Sequence, residues 1–500
     1  MRNQDYNISD ETIRLVSEEF RKLDEDPKFK AASVQISTGL ETGQPVMGPA
    51  KLLWPSFGDF MKTIPFLDKP GSGVTWKRIL SVVPTGSFFP GERTKGGKLT
   101  LTTDSIAVAP VTIARGFDIT WESIKRAATF EDVRARINRL GLMQFLQELS
   151  IAIWGANKTA LVGQSSGVGP TPVAVAAASG GALADATYTF RIVSLTSAGL
   201  HRATKVKRVP TSYKIDTSAD AATLFAGSGH VGLTTESAQA QGVVSGGSGA
   251  GQVTLTWAAT PGAAGYAVYG DDSTTLRLQC VVTQTKVIFT GMDLSTTIGT
   301  SNQVPGSDST GNANSFDGVI AQLMASGSGA YKKRANSALS AAVGNQIPEI
   351  SAMIQDIFDR TYAEPTSLEM GWPEQAAISK LLAGVTGDRL NLNITVGANG
   401  PQLGSAMLKS YPSPISGKEI PIRTPRENRG GMILALLDSM PYEDSAIENP
   451  WEMHFTAPIE RIVYGMVDRA EDTEYAAMGA LAGPATMLQG ILYDIHQQDT

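Results

Sequence analysis

The sequence predicts an α+β host chain interrupted by a small all-β domain. Three observations carry this. Charge is scarce between Leu161 and Ser315: 16 charged residues in 155, about one in ten against about one in five elsewhere. Two-residue alternation is concentrated there, in Thr187–Leu195 (TYTFRIVSL) and Val253–Trp257 (VTLTW), the period of half-buried strands. Helical periodicity lies on both sides of it, above all in Phe130–Trp154.

Bulk composition narrows the function classes. At roughly 100–200 residues per domain, 500 residues imply two to four domains. A net charge of −6 argues against a dedicated nucleic-acid binder, which carries a basic face. The single cysteine, Cys280, excludes a disulfide framework and a Cys-based zinc site. His201, His230, His454 and His496 are too scattered to suggest a metal cluster, so no metal or cofactor is expected. Met1–Asp10 is polar, with no apolar core of an export signal. The uncharged stretches Leu161–Ala184 and Ser237–Gly270 are rich in Gly, Ser, Gln and Thr, unlike the roughly 20 apolar residues of a lipid-spanning helix. A soluble protein made in a reducing cytoplasm, with no membrane partner, is expected.

Residues 1–72 read as a polar arm. Within it Ile13, Val16, Phe20 and Leu23 recur at helical spacing after Ser9 or Asp10 as cap. The partner of this stripe is either another subunit or a distant part of the same chain. Residues 73–117 read as a long hairpin. Val74–Val83 is one limb, and Leu99, Leu101, Ile106, Val108, Val111 and Ile113 mark the return. Between them lies PTGSFFPGERTKGGK, dense in turn residues and basic at Arg93, Lys95 and Lys98. A hairpin this long has little core of its own and needs a cover, so its tip is expected to touch a neighbouring subunit. An ordinary surface hairpin is the alternative.

Phe130–Trp154 is the clearest helix. Val133, Ile137, Leu140, Leu142, Leu146, Leu149 and Ile153 keep an apolar stripe. Thr129 can cap it, Glu131 and Asp132 suit its N-terminal dipole, and Gly155 stops it. Residues 163–315 form the insert, flanked by Gly-rich linkers. Its ends should lie close together, because helical sequence resumes on both sides, and it should therefore be removable. Beyond it, Gln346–Tyr362 and Pro373–Gly384 read as amphipathic helices, Met432–Leu437 as a buried strand, and Trp451–Asp468 and Glu474–Ile491 as closing strands.

Within the insert, LTWAATPGAAGYAVYG (Leu255–Gly270) resembles two strands of fibronectin-type-III and immunoglobulin-like domains, with Trp257, Tyr266 and Tyr269 at core positions. TYTFRIVSLTSAGL resembles a later strand of that family, yet here it comes first, so the topology is left open.

The host elements, in order, resemble the major capsid protein of tailed bacteriophages, the Hong Kong 97-like fold. SIAVAPVTIARGFDITWESI (Ser105–Ile124), ANSFDGVIAQL (Ala313–Leu323), GMILALLDSM (Gly431–Met440) and TEYAAMGALAGPATMLQGI (Thr473–Ile491) carry the resemblance over about 345 residues. It implies an N-terminal arm, an extended hairpin (the E-loop, 73–117), a peripheral domain with a spine helix (118–162, 316–345 and 441–500) and an axial domain (346–440). It also implies hexamers and pentamers in an icosahedral shell around double-stranded DNA, made with a separate scaffolding protein, a portal and a possible decoration protein. Some members crosslink a hairpin lysine to an asparagine. No motif here identifies that partner, and Lys95 and Lys98 read as solvated or salt-bridging lysines.

Enzyme motifs do not survive their context. Gly163–Gly167 matches G-x-S-x-G but sits in a Gly/Ser linker without the strand and helix of a nucleophile elbow. Gly227–Gly232 matches G-x-G-x-x-G without a βαβ unit. The expected function is therefore structural: a non-catalytic virion subunit assembled in the bacterial cytoplasm. A decoration or tail protein built on β-sandwiches is the alternative. Arg134, Arg136 and Arg139 are the best basic cluster, and predict weak, sequence-independent DNA contact at most.

Overall fold

A computed structural model describes residues 60–68, 74–86, 88–89, 92–93, 95–127, 133–158, 169–202, 240–244, 249–271, 276–292, 308, 310–341, 343, 346–383, 396–397, 400–401, 408–441, 449–467 and 469–496. The arm stripe Ile13, Val16, Phe20 and Leu23 lies outside the described residues, as do the helix-cap residues Thr129, Glu131 and Asp132.

The strands of the first half are β1 Phe66–Asp68, β2 Val74–Thr85, β3 Lys98–Val108, β4 Val111–Thr120, β5 Val173–Ala177, β6 Ala186–Leu195, β7 Ala240–Val244, β8 Gln252–Thr256, β9 Gly265–Asp271, β10 Arg277–Val282 and β11 Lys286–Phe289. The remainder are β12 Tyr331–Ser337, β13 Ser367–Met370, β14 Val396–Gly397, β15 Gly400–Pro401, β16 Ser410–Pro412, β17 Glu419–Arg423, β18 Met432–Leu436, β19 Glu452–Val467, β20 Ala470–Ala482 and β21 Gly490–Ile495. The helices are α1 Trp121–Ala127, α2 Val133–Gly155, α3 Ser197–Arg202, α4 Val319–Met324, α5 Pro348–Thr361 and α6 Trp372–Ala383. The chain divides into two compact units. One holds the chain up to Trp76, Ala107–Ile153 and Trp451–Ala482. The other holds Lys77–Ile106, Trp154–Pro450 and Gly483–Thr500.

In the first unit a four-stranded sheet runs β1-β19-β20-β4. β1 pairs with β19 in parallel at Phe66↔Met453, while β19–β20 and β20–β4 are antiparallel. The helix α2, 23 residues and so roughly 35 Å long, buries Leu142, Leu146, Leu149 and Ile153 as its periodicity predicts. Phe145, outside the predicted stripe, is buried with them. Arg134 reaches Glu471 of β20 at 2.8 Å, and Arg115 of β4 reaches Glu148 at 3.7 Å. Gly141 lies on the ring of Phe117, where a Cβ would sit 2.3 Å from Cε1. That ring leans on Tyr475 at 5.9 Å.

This contact yields a prediction that opposes helix propensity. Alanine at an exposed helix interior stabilises by about 1 kcal/mol over glycine. Here Gly141→Ala should destabilise by ~1–3 kcal/mol in denaturant unfolding, because the methyl must displace the Phe117 ring. Adding Phe117→Leu should recover part of the loss. A more stable single variant would contradict the packing.

The second unit carries a six-stranded mixed sheet, β12-β21-β18-β13-β17-β16. α5 and α6 cover it through Ile350, Met353, Ile354, Ile357, Ile378 and Leu382. Pro348 opens α5, where a missing N–H costs nothing. Gly490 lets that helix approach: a Cβ there would meet Met353 and Ile357 at 3.0 Å. Tyr411 ties the helix start down, its hydroxyl accepting from the Ile347 N–H at 2.7 Å.

The insert forms two antiparallel sheets, β10-β9-β6-β7 and β11-β8-β5, around one core. Trp257 and Tyr266 meet edge to face at 5.5 Å, and Phe190 and Phe289 lie 5.3 Å apart. Both Trp257 and Tyr266 belong to that core, as expected.

Several expectations are corrected. Tyr269 is fully buried but lies outside the inter-sheet core. Successive strand residues face opposite sides, so Tyr266 and Val268 point between the sheets while Tyr269 joins Ala267 on the other face. The expected return limb Leu99–Ile113 is two strands. β3 pairs with β2, and β4 pairs with β20. The break falls at Pro110, which has no N–H to continue a ladder. Finally, β12 and β21, grouped from sequence with the spine helix, pair in parallel with each other, and β21 continues the sheet through β18.

Candidate assembly interface

The β2–β3 ribbon is a separate two-stranded sheet. Every β3 residue from Lys98 to Ser105 is exposed. Three of its apolar side chains are uncovered: Val83 49%, Leu99 68% and Leu101 53% exposed. At the tip Phe88 and Phe89 stack edge to face at 5.2 Å and are 88% and 84% exposed. Arg93, Lys95 and Lys98 are all exposed beside them. The turn is built for close backbone approach. Gly86 has φ +94°, and a Cβ on Gly97 would sit 2.6 Å from the Thr85 carbonyl. Thr85 Oγ1 donates to the Lys98 carbonyl at 2.8 Å. Arg93 adopts φ +72°, a left-handed conformation unusual for a non-glycine residue.

A second bare surface lies on β19. Among the described residues, β1 pairs with its outer side only at Met453–Phe455. Further along, Ile462, Val463 and Tyr464 are 38%, 46% and 59% exposed. Uncovered apolar strand edges are templates for pairing, and sequence reading missed this one because edge position is set by strand order. Nearby, Gly116, Phe117, Asp118, Tyr464, Asp472 and Glu474 line a shallow cavity of about 300 Å³. The Tyr464 hydroxyl donates to Glu474 Oε2 at 2.5 Å.

Nothing in the described residues resembles catalytic machinery. No group of three or more His, Cys, Asp or Glu there could hold a metal. Gly163–Gly167 and Gly227–Gly232 lie outside the described residues. His454 is buried on β19 with Nε2 3.0 Å from Glu452, and burial holds the Cys280 thiol well above its usual range. No helix among the described residues is long and apolar enough to cross a membrane.

A buried carboxylate with perturbed ionisation sits on β13. Glu369 is 1% exposed, and its Oε1 accepts from Arg423 Nη1 at 3.3 Å. Arg423 is shared with Asp438, whose Oδ2 lies 2.9 Å from Nη2. Burial outweighs the guanidinium and pushes Glu369 up to about 7. A folded-state value above the unfolded 4.5 means that ionisation opposes folding. Stability from this group is complete below about pH 4.5 and is lost as pH rises through about 7, amounting to at most ~3 kcal/mol. Glu369→Gln should flatten the stability difference between pH 5 and pH 8 in calorimetric scans. A difference as large as in the parent chain would assign the pH dependence elsewhere.

No protein-family model matches the chain. No curated protein matches it either. Solved phage structures are similar to it over most of its length. A structure from Mycobacterium phage Bobi aligns with a TM-score of 0.38 and 9% identity, covering 90% of this chain and 95% of its own. The capsid of Myoviridae phage XM1 aligns at 0.37 and 9%, covering 92% and 99%. The capsid of cyanophage P-SCSP1u aligns at 0.37 and 7%, covering 90% and 92%.

Proposed function

We propose that this chain is a major capsid protein, the shell-forming subunit of a tailed phage, and that it is not an enzyme. One observation carries the reading: a twelve-residue strand and an eleven-residue strand stand as an isolated ribbon with apolar residues exposed along it. A two-stranded ribbon is at best marginally stable in water. In this reading its cover comes from another molecule, and a repeating heterologous contact between identical subunits supplies one at every position. In this reading the Hong Kong 97-like names apply: arm, E-loop, peripheral domain with α2 as spine, axial domain, and an immunoglobulin-like insert. Hexamers and pentamers close an icosahedral shell in the virion. A scaffolding protein, a portal and a decoration protein are its expected partners, and the shell is built in the host cytoplasm. Contact with the enclosed double-stranded DNA is weak and non-specific. Arg134 at the start of the spine is already engaged by Glu471, which supports protein packing over phosphate binding.

Electron microscopy of the purified, expressed chain tests this. Closed shells or hexamers and pentamers are expected, whereas tubes or dispersed monomers would overturn the reading. The same preparation should retain no duplex DNA at micromolar concentration in about 0.15 M salt. Salt-sensitive, sub-micromolar retention would revive a nucleic-acid-binding role.

A further inference from the structure

The insert is not a loosely tethered appendage. Both faces of its larger sheet are buried. Phe190, Ile192 and Val268 point into the sandwich, while Val193, Ala267, Tyr269 and Val281, at no more than 1% exposed, belong to the opposite face. At one end α3 closes on the end of α2: a Cβ on Gly155 would meet Ser197 Oγ at 2.3 Å and Ile320 Cδ1 at 3.5 Å. At the other end the β10–β11 turn meets the six-stranded sheet. Gly431, at φ +81°, lies so close to it that a Cβ would sit 2.6 Å from the Thr283 carbonyl.

A polar cluster occupies that second junction. Asp494 Oδ2 accepts from Thr285 Oγ1 at 3.1 Å and from Arg334 Nε at 2.7 Å. The Thr285 hydroxyl also lies 3.1 Å from His496 Nε2 and accepts from Arg334 Nη2 at 3.5 Å. His496 Nε2 also lies 3.4 Å from Asp494 Oδ1. Three segments distant in sequence (the insert turn, β12 and the end of β21) therefore converge on one carboxylate, whose side chain is 2% exposed. Asp494 pays for this position with a left-handed backbone, φ +58°. Such strain persists where the surrounding structure over-determines it.

We infer that Asp494 is a latch, a positioning residue that fixes the inserted sandwich rigidly to the six-stranded sheet through Thr285, so that insert and sheet move as one body. The inference stands independently of the capsid reading and is tested on the full chain, assembled or not. Asp494→Asn removes the charge and keeps a side chain that tolerates the left-handed backbone. Thr285→Val removes the hydroxyl at nearly constant volume and carries the test if the first variant fails to fold. Hydrogen exchange should quicken by about 10-fold or more at the Thr285 and His496 amides in either single variant, with amides of β8 and β9 unchanged. Because both substitutions weaken the shared Thr285–Asp494 hydrogen bond, the double variant should accelerate these amides by less than the product of the two singles. Unchanged exchange around Thr285, or a double effect equal to the product of the singles, would overturn the latch. Equal acceleration throughout the sandwich would also do so, since it reports general destabilisation.

Discussion

Reversing Arg93, Lys95 and Lys98 together to Glu should leave the subunit folded and impair its assembly. All three are exposed at the ribbon tip, so their removal costs the monomer no packing; surface substitutions of this kind change stability by about ±0.5 kcal/mol. The effect appears only when the tip meets its cover. Like charges brought together across an interface cost several kcal/mol, and each subunit repeats the cost, so the yield of shells should drop by at least ~10-fold. Phe88→Ser with Phe89→Ser should act in the same direction, because the apolar area they offer is exposed in the single chain. Circular dichroism checks the fold, and electron microscopy counts the shells. Normal shells from the triple variant would show that the tip is an ordinary surface hairpin.

Trp257→Ala should cost the sandwich ~3–5 kcal/mol, the usual loss for truncating a large buried aromatic. Trp257 is 5% exposed and packs edge to face on Tyr266. Its backbone N–H donates to the Thr285 carbonyl at 3.1 Å, which joins the core to the turn held by Asp494. A milder variant separates packing from hydrogen bonding. Tyr266→Phe keeps the ring but leaves the Thr260 N–H without the hydroxyl it donates to at 2.9 Å, at a cost of ~1–2 kcal/mol. Calorimetry of the full chain should show the lower transition for Trp257→Ala. An unshifted sandwich transition would mean that the cavity collapses or that the aromatic pair is incidental.

Periodicity made the long helix legible, since Leu142, Leu146, Leu149 and Ile153 are buried along one stripe. It also located α5, α6 and the strand β18 to within a few residues. The basic tip was legible from turn chemistry, and its exposure follows. The bare edge of β19 was not, because pairing partners are chosen by strand order rather than by local sequence. Tyr269 shows a signal present but read too narrowly. Arg277–Val282 and Gly265–Asp271 are buried at every position, and a run without alternation marks a strand covered on both faces. In the structure that burial means that both faces of this sheet are packed.

The sequence by itself determined the mixed fold class, the all-β segment and the long helix α2, because each follows from local composition or period. Only the tertiary structure decided where the chain changes sheets at Pro110, which strands flank β21, and how the insert is held. Asp494 accepts from Thr285, 209 positions away, and from Arg334, 160 positions away. Contacts at such separations leave no trace in a local pattern. They exist because loop closure costs little more for a long loop than for a short one, so a single buried carboxylate can gather segments from across the chain.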